Sequence, residues 1–304
     1  VKKMFFWVGL ISVGWAAALA PASKGEEEPR LRAEPQVVRQ GDCFFLRLSF
    51  GFTPSATLGT GQDKEGLDEA PPQARWMGRD FPLFREKRGW RAILPVAAET
   101  APGPRQVAAI WETPAGEKKR LSATVIVEKR GFGKQHLRLP ARQEALYTYP
   151  GVRREYRLIG AALRRFSPRA RWEKRFAVPV DGKEKTAFGT QRYRNGKKQG
   201  IHKGIDYGAP EGTAVYAANS GVVALTAQDF RLHGKTVVID HGQGVCTLYL
   251  HLSEILVNLG EQVERGAIIG RVGSTGVATG PHLHYALYVG GVAVDPAWWE
   301  EKAR

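Results

Sequence analysis

Six of the seven histidines lie between positions 202 and 284; the seventh is His136. Two short motifs organise them. The first is HKGID, from His202 to Asp206. Residues four apart share a face on a strand and on a helix alike, and Gly204 between them leaves the approach open. The second is GPHLH, with His282 and His284. On a strand these two imidazoles project from one face while Leu283 turns the other way, toward a core. Two imidazole nitrogens and one carboxylate oxygen suit Zn²⁺, and three protein ligands leave a fourth tetrahedral position for water. That open position separates a hydrolytic zinc from a structural one. A zinc-bound water needs a proton acceptor, and an amide leaving group needs a donor. The remaining imidazole of the H-x-H pair and His251, in YLHL, are the candidates. His241, in DHGQG, reads as a hydrogen-bonded turn residue. His233 has no motif around it and reads as a loop residue.

Such a site needs a stiff scaffold. From about residue 186 onward the chain is rich in glycine and in β-branched runs. Residues 215–217, 221–225, 236–240, 245–251, 268–272 and 284–289 read as strands punctuated by Gly and Asn turns. No long amphipathic pattern interrupts them. Residues 186–304 are therefore expected to form one antiparallel β domain, with His251 at the end of a strand.

The stretch from Phe188 to Trp299 resembles the lysostaphin-type, LytM-like zinc endopeptidases that cut peptidoglycan cross-links. The matching strings are FGTQR, HKGIDYGAPEGTAVYAANSGVV, VVIDHGQGVCTLYLHLS, GEQVERGAIIGRVGSTGVATGPHLHYAL and the closing VDP. The resemblance implies one Zn²⁺ per chain, held by His202, Asp206 and His284. It implies that His282 and His251 act in catalysis, one as the base toward the water and the other toward the oxyanion or leaving amine, with roles that could be exchanged. It also implies a groove walled by loops around a small antiparallel sheet, with Gly273, Gly276 and Gly280 in the glycine-rich stretch before H-x-H. The substrate it implies is a peptidoglycan peptide. A wall-binding or regulatory relative that keeps the groove without the chemistry is the alternative, and the complete ligand set argues against it.

Upstream the chain divides into three. Residues 1–22 open with Lys2 and Lys3, run uncharged from Met4 to Ala20, and offer small residues at Ala20 and Ala22. This is the pattern of a signal peptide, or of an uncleaved anchor, and it places the remainder in the periplasm, the cell envelope or outside the cell. Residues 31–128 carry β-rich runs at 43–50, 89–96, 105–112 and 121–128, with turn residues between them and a long loop at 59–72. That spacing suggests an immunoglobulin-like β-sandwich acting as a spacer or targeting unit. Residues 129–185 form a partly helical linker. Within 151–168, Val152, Tyr156, Ile159, Leu163 and Phe166 recur at helical period, which predicts a connecting helix with one apolar face.

Composition bounds the rest. With 43% apolar residues in 304 the chain can pack cores, and two cysteines, Cys43 and Cys246, exclude a disulfide-knit miniprotein. Both are expected to be buried thiols. The formal charge of +15 suggests a polyanionic neighbour. It is concentrated in the linker, where 16 Lys plus Arg face 5 Asp plus Glu, against 11 and 10 in residues 186–304. A basic collar of this kind suits an anionic wall polymer or membrane surface. Export and the lack of a nucleic-acid-binding motif disfavour nucleic acid.

Overall fold

The computed structural model describes residues 28–50, 71–87, 89–113, 115–172 and 175–302. The leader expected at 1–22 and most of the loop expected at 59–72 lie outside the described residues. The architecture is mainly β. Two sheets form upstream. One orders Arg30–Glu34, Cys43–Ser49, Gly89–Pro95 and Phe84–Glu86; the other orders Val37–Arg39, Lys118–Glu128, Gly103–Glu112, Gln73–Trp76 and Arg79–Pro82. Alternation in CFFLRLS turns Phe44, Leu46 and Leu48 inward. They meet Ala74, Trp76, Val107 and Val125 of the facing sheet in one core.

The downstream sheet carries the candidate site. Its path runs Lys183–Thr186, Ile205–Gly208, Leu283–Val289, Val245–Ile255, Lys235–Gly242, Gly221–Ala227 and Gln262–Val263. The neighbours in this path are antiparallel. Its central strands are buried on both faces, as their nearly unbroken apolar runs require. One face bears Ile205, Tyr249, Leu283, Tyr285 and Leu287 and packs on Phe176, Trp298 and Trp299. The opposite face bears Asp206, His284, Ala286, Leu248 and Leu250, placed together by the register Asp206↔His284↔Leu250 and Ala286↔Leu248.

Helix Val152–Leu163 covers part of that second face, with Ile159, Ala162 and Leu163 against Ala224, Val238, Cys246, Leu248 and Ala286. It differs from the sequence expectation in three ways. It stops at Leu163, and Phe166 lies beyond it, edge-on to Phe81 of the upstream sheets at 6.3 Å. Tyr156 is 53% exposed, although it lies in period with the apolar face, because it borders an open cleft. Glu155 takes the buried position beside it. A carboxylate is tolerated there because five donors converge on it.

The upstream sheets are docked against the downstream one. Cys43, Ile93 and Ala98 belong to the same core as Trp298 and Val294. Phe45 lies 6.0 Å from Trp298. Polar contacts frame this seam: Arg130 Nη2 to Asp295 Oδ2 at 2.6 Å, Arg79 Nη2 to Gly290 O at 2.6 Å, and Arg91 Nη2 to Gln243 Oε1 at 2.8 Å. Cys43 and Cys246 are free and buried. A core that crosses the seam predicts one cooperative unfolding transition. Trp299→Ala, at the centre of that core, should lower stability by about 3–5 kcal/mol. Coincident denaturant curves from far-UV circular dichroism and tryptophan fluorescence would bear this out; two separated transitions would refute it.

Candidate metal centre and groove

Antiparallel pairing of Ile205–Gly208 with Leu283–Val289 sets Asp206 opposite His284. His202 joins them from the segment before the first strand. It is held by His202 N to Thr190 O at 2.8 Å and by Gly189 N to His202 O at 2.8 Å. Gly204 is required here: a Cβ on it would collide with Tyr285 O and crowd the His284 ring. Three ligand-type atoms converge. His202 Nε2 and His284 Nδ1 lie 2.9 and 2.8 Å from Asp206 Oδ1, and 2.9 Å from each other.

The chemistry of this donor set fits a cation. His202 Nδ1 donates to Ala187 O at 3.1 Å, so a neutral His202 turns a lone pair at Nε2 toward the carboxylate. Two imidazole nitrogens and a carboxylate oxygen, each 2.8–2.9 Å from the others, are a donor set that a cation of the zinc type would fit. The Asp206 carboxyl is held well below the usual carboxylate range: burial pushes it up, and the neighbouring His202 and His284 rings more than reverse that. Burial pushes His284 down to about 4 against the opposing pull of Asp206, which keeps its imidazole neutral and able to ligate at neutral pH. The other Asp206 oxygen is occupied as well. Arg192 Nη2 donates to Oδ2 at 2.6 Å, and Arg192 Nε donates to Gln135 Oε1 at 3.1 Å.

Two more imidazoles border the cluster. His282 sits at an isolated bridge to Gly273, and its Nδ1 donates to Gly280 O at 2.8 Å. His251 Nδ1 donates to Thr275 O at 2.8 Å. Each ring therefore keeps a lone pair on Nε2. The rings lie 4.8 Å apart, and His282 Nε2 is 4.0 Å from Asp206 Oδ1. Burial, then the neighbouring His282 and His284, push His251 down to about 3. Leu283, between the two motif histidines, points into the opposite core.

The structure places His251 differently from the expectation. The strand runs on to Ile255, and His251 lies within it at φ +65°. Tyr249 and Leu252 face the core while Leu250 faces the groove. Strict alternation would turn His251 into the core. The register slips here against Lys235–Gly242, and this bulge with its left-handed residue swings the ring to the groove side. His241 is not in a turn. It lies in strand Lys235–Gly242, buried, with Nδ1 2.7 Å from Ser220 O and Nε2 2.8 Å from Thr247 Oγ1. His233 is on a loop as expected, and its Nδ1 donates to Glu155 at 2.7 Å.

Clefts open on both sides of the cluster. One is lined by Arg192, Asp206, His251, Thr279 and His282; the other by Tyr156, Ile159, Lys203, His233 and His284. Tyr147 lines both, as do Arg192 and His251. The segment that holds Tyr147 is anchored on one side by Arg194, which pairs with Glu144 at 2.8 Å and stacks 3.4 Å from the Tyr147 ring centre. On the other side Gln143 Nε2 donates to Ala278 O at 3.2 Å. The first part of the linker is thus groove wall. Sequence reasoning missed Tyr147, Gln135 and Arg192 as groove residues. Only Arg192, inside the FGTQR string, carried a signal.

Comparison with known proteins agrees with this geometry. The model for peptidase family M23 matches residues 200–296. A crystal structure from Pseudomonas aeruginosa described as a peptidase M23 is 32% identical, with a TM-score of 0.57; the match covers 76% of this chain and 88% of that one. This chain belongs to peptidase family M23. Among curated relatives, the peptidoglycan DD-endopeptidase ShyA of Vibrio cholerae is 48% identical over 99 residues, 33% of this chain and 23% of that protein. The DD-carboxypeptidase/endopeptidase Mpg of Neisseria meningitidis is 47% identical over 96 residues, 32% of this chain and 22% of that protein. The matched stretch thus spans less than a quarter of the length of these two relatives.

The lowered histidines set the pH response of the metal-free protein. In the folded state His241 and His284 titrate at about 4 and His251 at about 3, below the ~6.5 of an unfolded histidine. The unfolded chain takes up these protons first, so stability is complete above about pH 6.5 and declines as pH falls through that window toward the folded values. The melting temperature of chelator-treated protein should drop by several degrees from pH 7 to pH 4.5. A flat profile would contradict the burial of these rings in neutral form.

Proposed function

We propose that this chain is an exported zinc metalloendopeptidase that hydrolyses peptide cross-links of bacterial cell-wall peptidoglycan. One observation carries the reading: His202 Nε2, Asp206 Oδ1 and His284 Nδ1 converge on one point, beside two imidazoles whose Nε2 atoms remain free to accept. In this reading His202, Asp206 and His284 hold one Zn²⁺. Bound there, zinc supplies a Lewis acid for a peptide carbonyl and brings the pKa of a water toward ~7. The protein's own groups do the rest. His282, lining the cleft beside Asp206, takes the proton at Nε2, its ring oriented by Gly280 O. His251, oriented by Thr275 O, faces the developing oxyanion or the leaving amine. Arg192 fixes the Asp206 carboxylate in orientation through Oδ2. The two clefts give an extended peptide room on either side of the cluster.

Relatives named for peptidoglycan endopeptidase activity support the substrate class. The sequence of residues 1–22 supports export to the periplasm, the envelope or beyond. The two facing sheets support an immunoglobulin-like spacer or targeting unit over residues 31–128. Arg153, Arg154, Arg157, Arg164 and Arg165 are all exposed, which supports contact between the linker and an anionic wall polymer or membrane surface.

His284→Ala should lose both bound zinc and activity. His282→Ala should keep zinc and lose activity by about 100-fold or more. Metal analysis of the purified variants beside a peptidoglycan zymogram checks both, and equal zinc loss in the two would sink the assignment. Zinc-loaded protein that clears no peptidoglycan would leave a wall-binding role in place of the enzyme. Replacing Arg153, Arg154, Arg164 and Arg165 with Gln should weaken retention on anionic wall sacculi and flatten its salt dependence. Retention that is unchanged across salt concentrations would remove the linker contact.

A further inference from the structure

The buried face of helix Val152–Leu163 carries one charged side chain, Glu155, 1% exposed. Its carboxylate accepts from the backbone N–H groups of Arg231 at 2.6 Å, Leu232 at 3.2 Å and His233 at 3.2 Å. It also accepts from His233 Nδ1 at 2.7 Å and from the Tyr149 hydroxyl. Three successive N–H groups turned toward one anion form a nest, a backbone shape that an anion stabilises. Burial pushes the Glu155 carboxyl up, and the bonds from His233, Tyr149 and the backbone overcome that and bring it to about 2. It is a carboxylate at neutral pH.

The turn that Glu155 gathers is the hub of the His251 surroundings. His233 O accepts from His251 N at 3.3 Å. Leu232 O accepts from Val277 N at 2.9 Å, which ties the turn to the glycine-rich stretch before H-x-H. Gly276 is needed at that junction, since a Cβ there would run into Gly234 N and Leu232 O. Lys235 N donates to Thr275 Oγ1 at 3.0 Å, and Thr275 O receives the Nδ1 proton of His251 at 2.8 Å. Backbone and ring of His251 are therefore both held by parts attached to the 231–234 turn. The residue so held has φ +65°, a conformation that a non-glycine residue keeps only when its surroundings impose it.

We propose that Glu155 is a positioning residue for His251: its carboxylate shapes the 231–234 turn, and the turn fixes the backbone and ring of His251 toward the groove. Glu155 lies outside residues 200–296, the stretch matched by the family model. The helix that supplies it is thus a working part of the groove. This inference rests on the reading of His251 as a catalytic residue.

The test uses the full chain loaded with zinc. Glu155→Gln keeps the size of the side chain but turns an amide NH₂ toward backbone donors. It should retain one zinc, with kcat lower by about tenfold and KM within about twofold of the parent. In a ¹⁵N-histidine spectrum, the His251 ring should leave the Nδ1–H tautomer seen in the parent. Val107→Ala, in the core between the upstream sheets, controls for lost stability and should leave kcat at the parent value. If Glu155→Gln does not fold, His233→Ala removes one donor from the same carboxylate and should show the same pattern in smaller measure. The proposal is overturned if kcat and the His251 signal of Glu155→Gln match the parent, if zinc is lost along with activity, or if the Val107→Ala control loses kcat equally. His251→Ala separates the two levels. An active His251→Ala overturns the catalytic reading and this inference with it. An inactive one beside a fully active Glu155→Gln overturns this inference alone.

Discussion

A buried carboxylate left without partners would cost several kcal/mol, and Asp206 is buried in the middle of a sheet. Most of the groove can be read as the answer to that cost. Strand register brings His284 opposite Asp206, the loop before the strand brings His202, and a hairpin brings Arg192 to the remaining oxygen. Each of these partners needs its own restraint. Ala187 O fixes the His202 ring, Gln135 fixes Arg192, and the missing side chain of Gly204 lets the two strands close around the cluster. The same convergence leaves three atoms of ligand type, His202 Nε2, Asp206 Oδ1 and His284 Nδ1, gathered at one point.

The groove is assembled from more of the chain than the family-matched residues. One face of the downstream sheet holds the cluster, and the helix Val152–Leu163 lies across the remainder of that face. The strip that carries Tyr147 lines both clefts and is pinned through two of its own residues, Glu144 to Arg194 and Gln143 to Ala278 O. The face that holds the cluster therefore has walls contributed by residues that read, on composition alone, as a charged connector. The basic residues around the groove divide by burial: Arg192 and Arg194, from the hairpin beyond the connector, turn inward to carboxylates, and Arg153, Arg154 and Arg157 of the connector's helix turn to solvent.

Much of the site was legible because its logic is local. Period-two geometry places His282 and His284 on one side and Leu283 on the other, and the structure has that arrangement. The long apolar runs of the downstream sheet were equally plain. What escaped was nonlocal. The strands KQHL and KEKT are short and polar, with no β signature, and they exist because an edge was available for pairing. The bulge at His251 arises from a register slip between two strands, which no single segment encodes. Glu155 inverts the helical pattern, since periodicity assigns charge to water and cannot foresee four donors waiting on the distant 231–233 turn. Tyr156, at an apolar position by period, is exposed for the complementary reason: the surface it borders is a cleft.

The seam between the two β units has a mechanical meaning. Phe45 on Trp298, Arg130 on Asp295 and Arg79 on Gly290 join the upstream sheets to the back of the downstream one, away from the cluster. A hinge would let the front unit search for a ligand while the back unit waited. A welded pair cannot do this. Those contacts hold the front unit at one distance and one angle from the groove. Removing the front unit would also strip apolar cover from Trp298, so the downstream sheet is expected to lose stability without it.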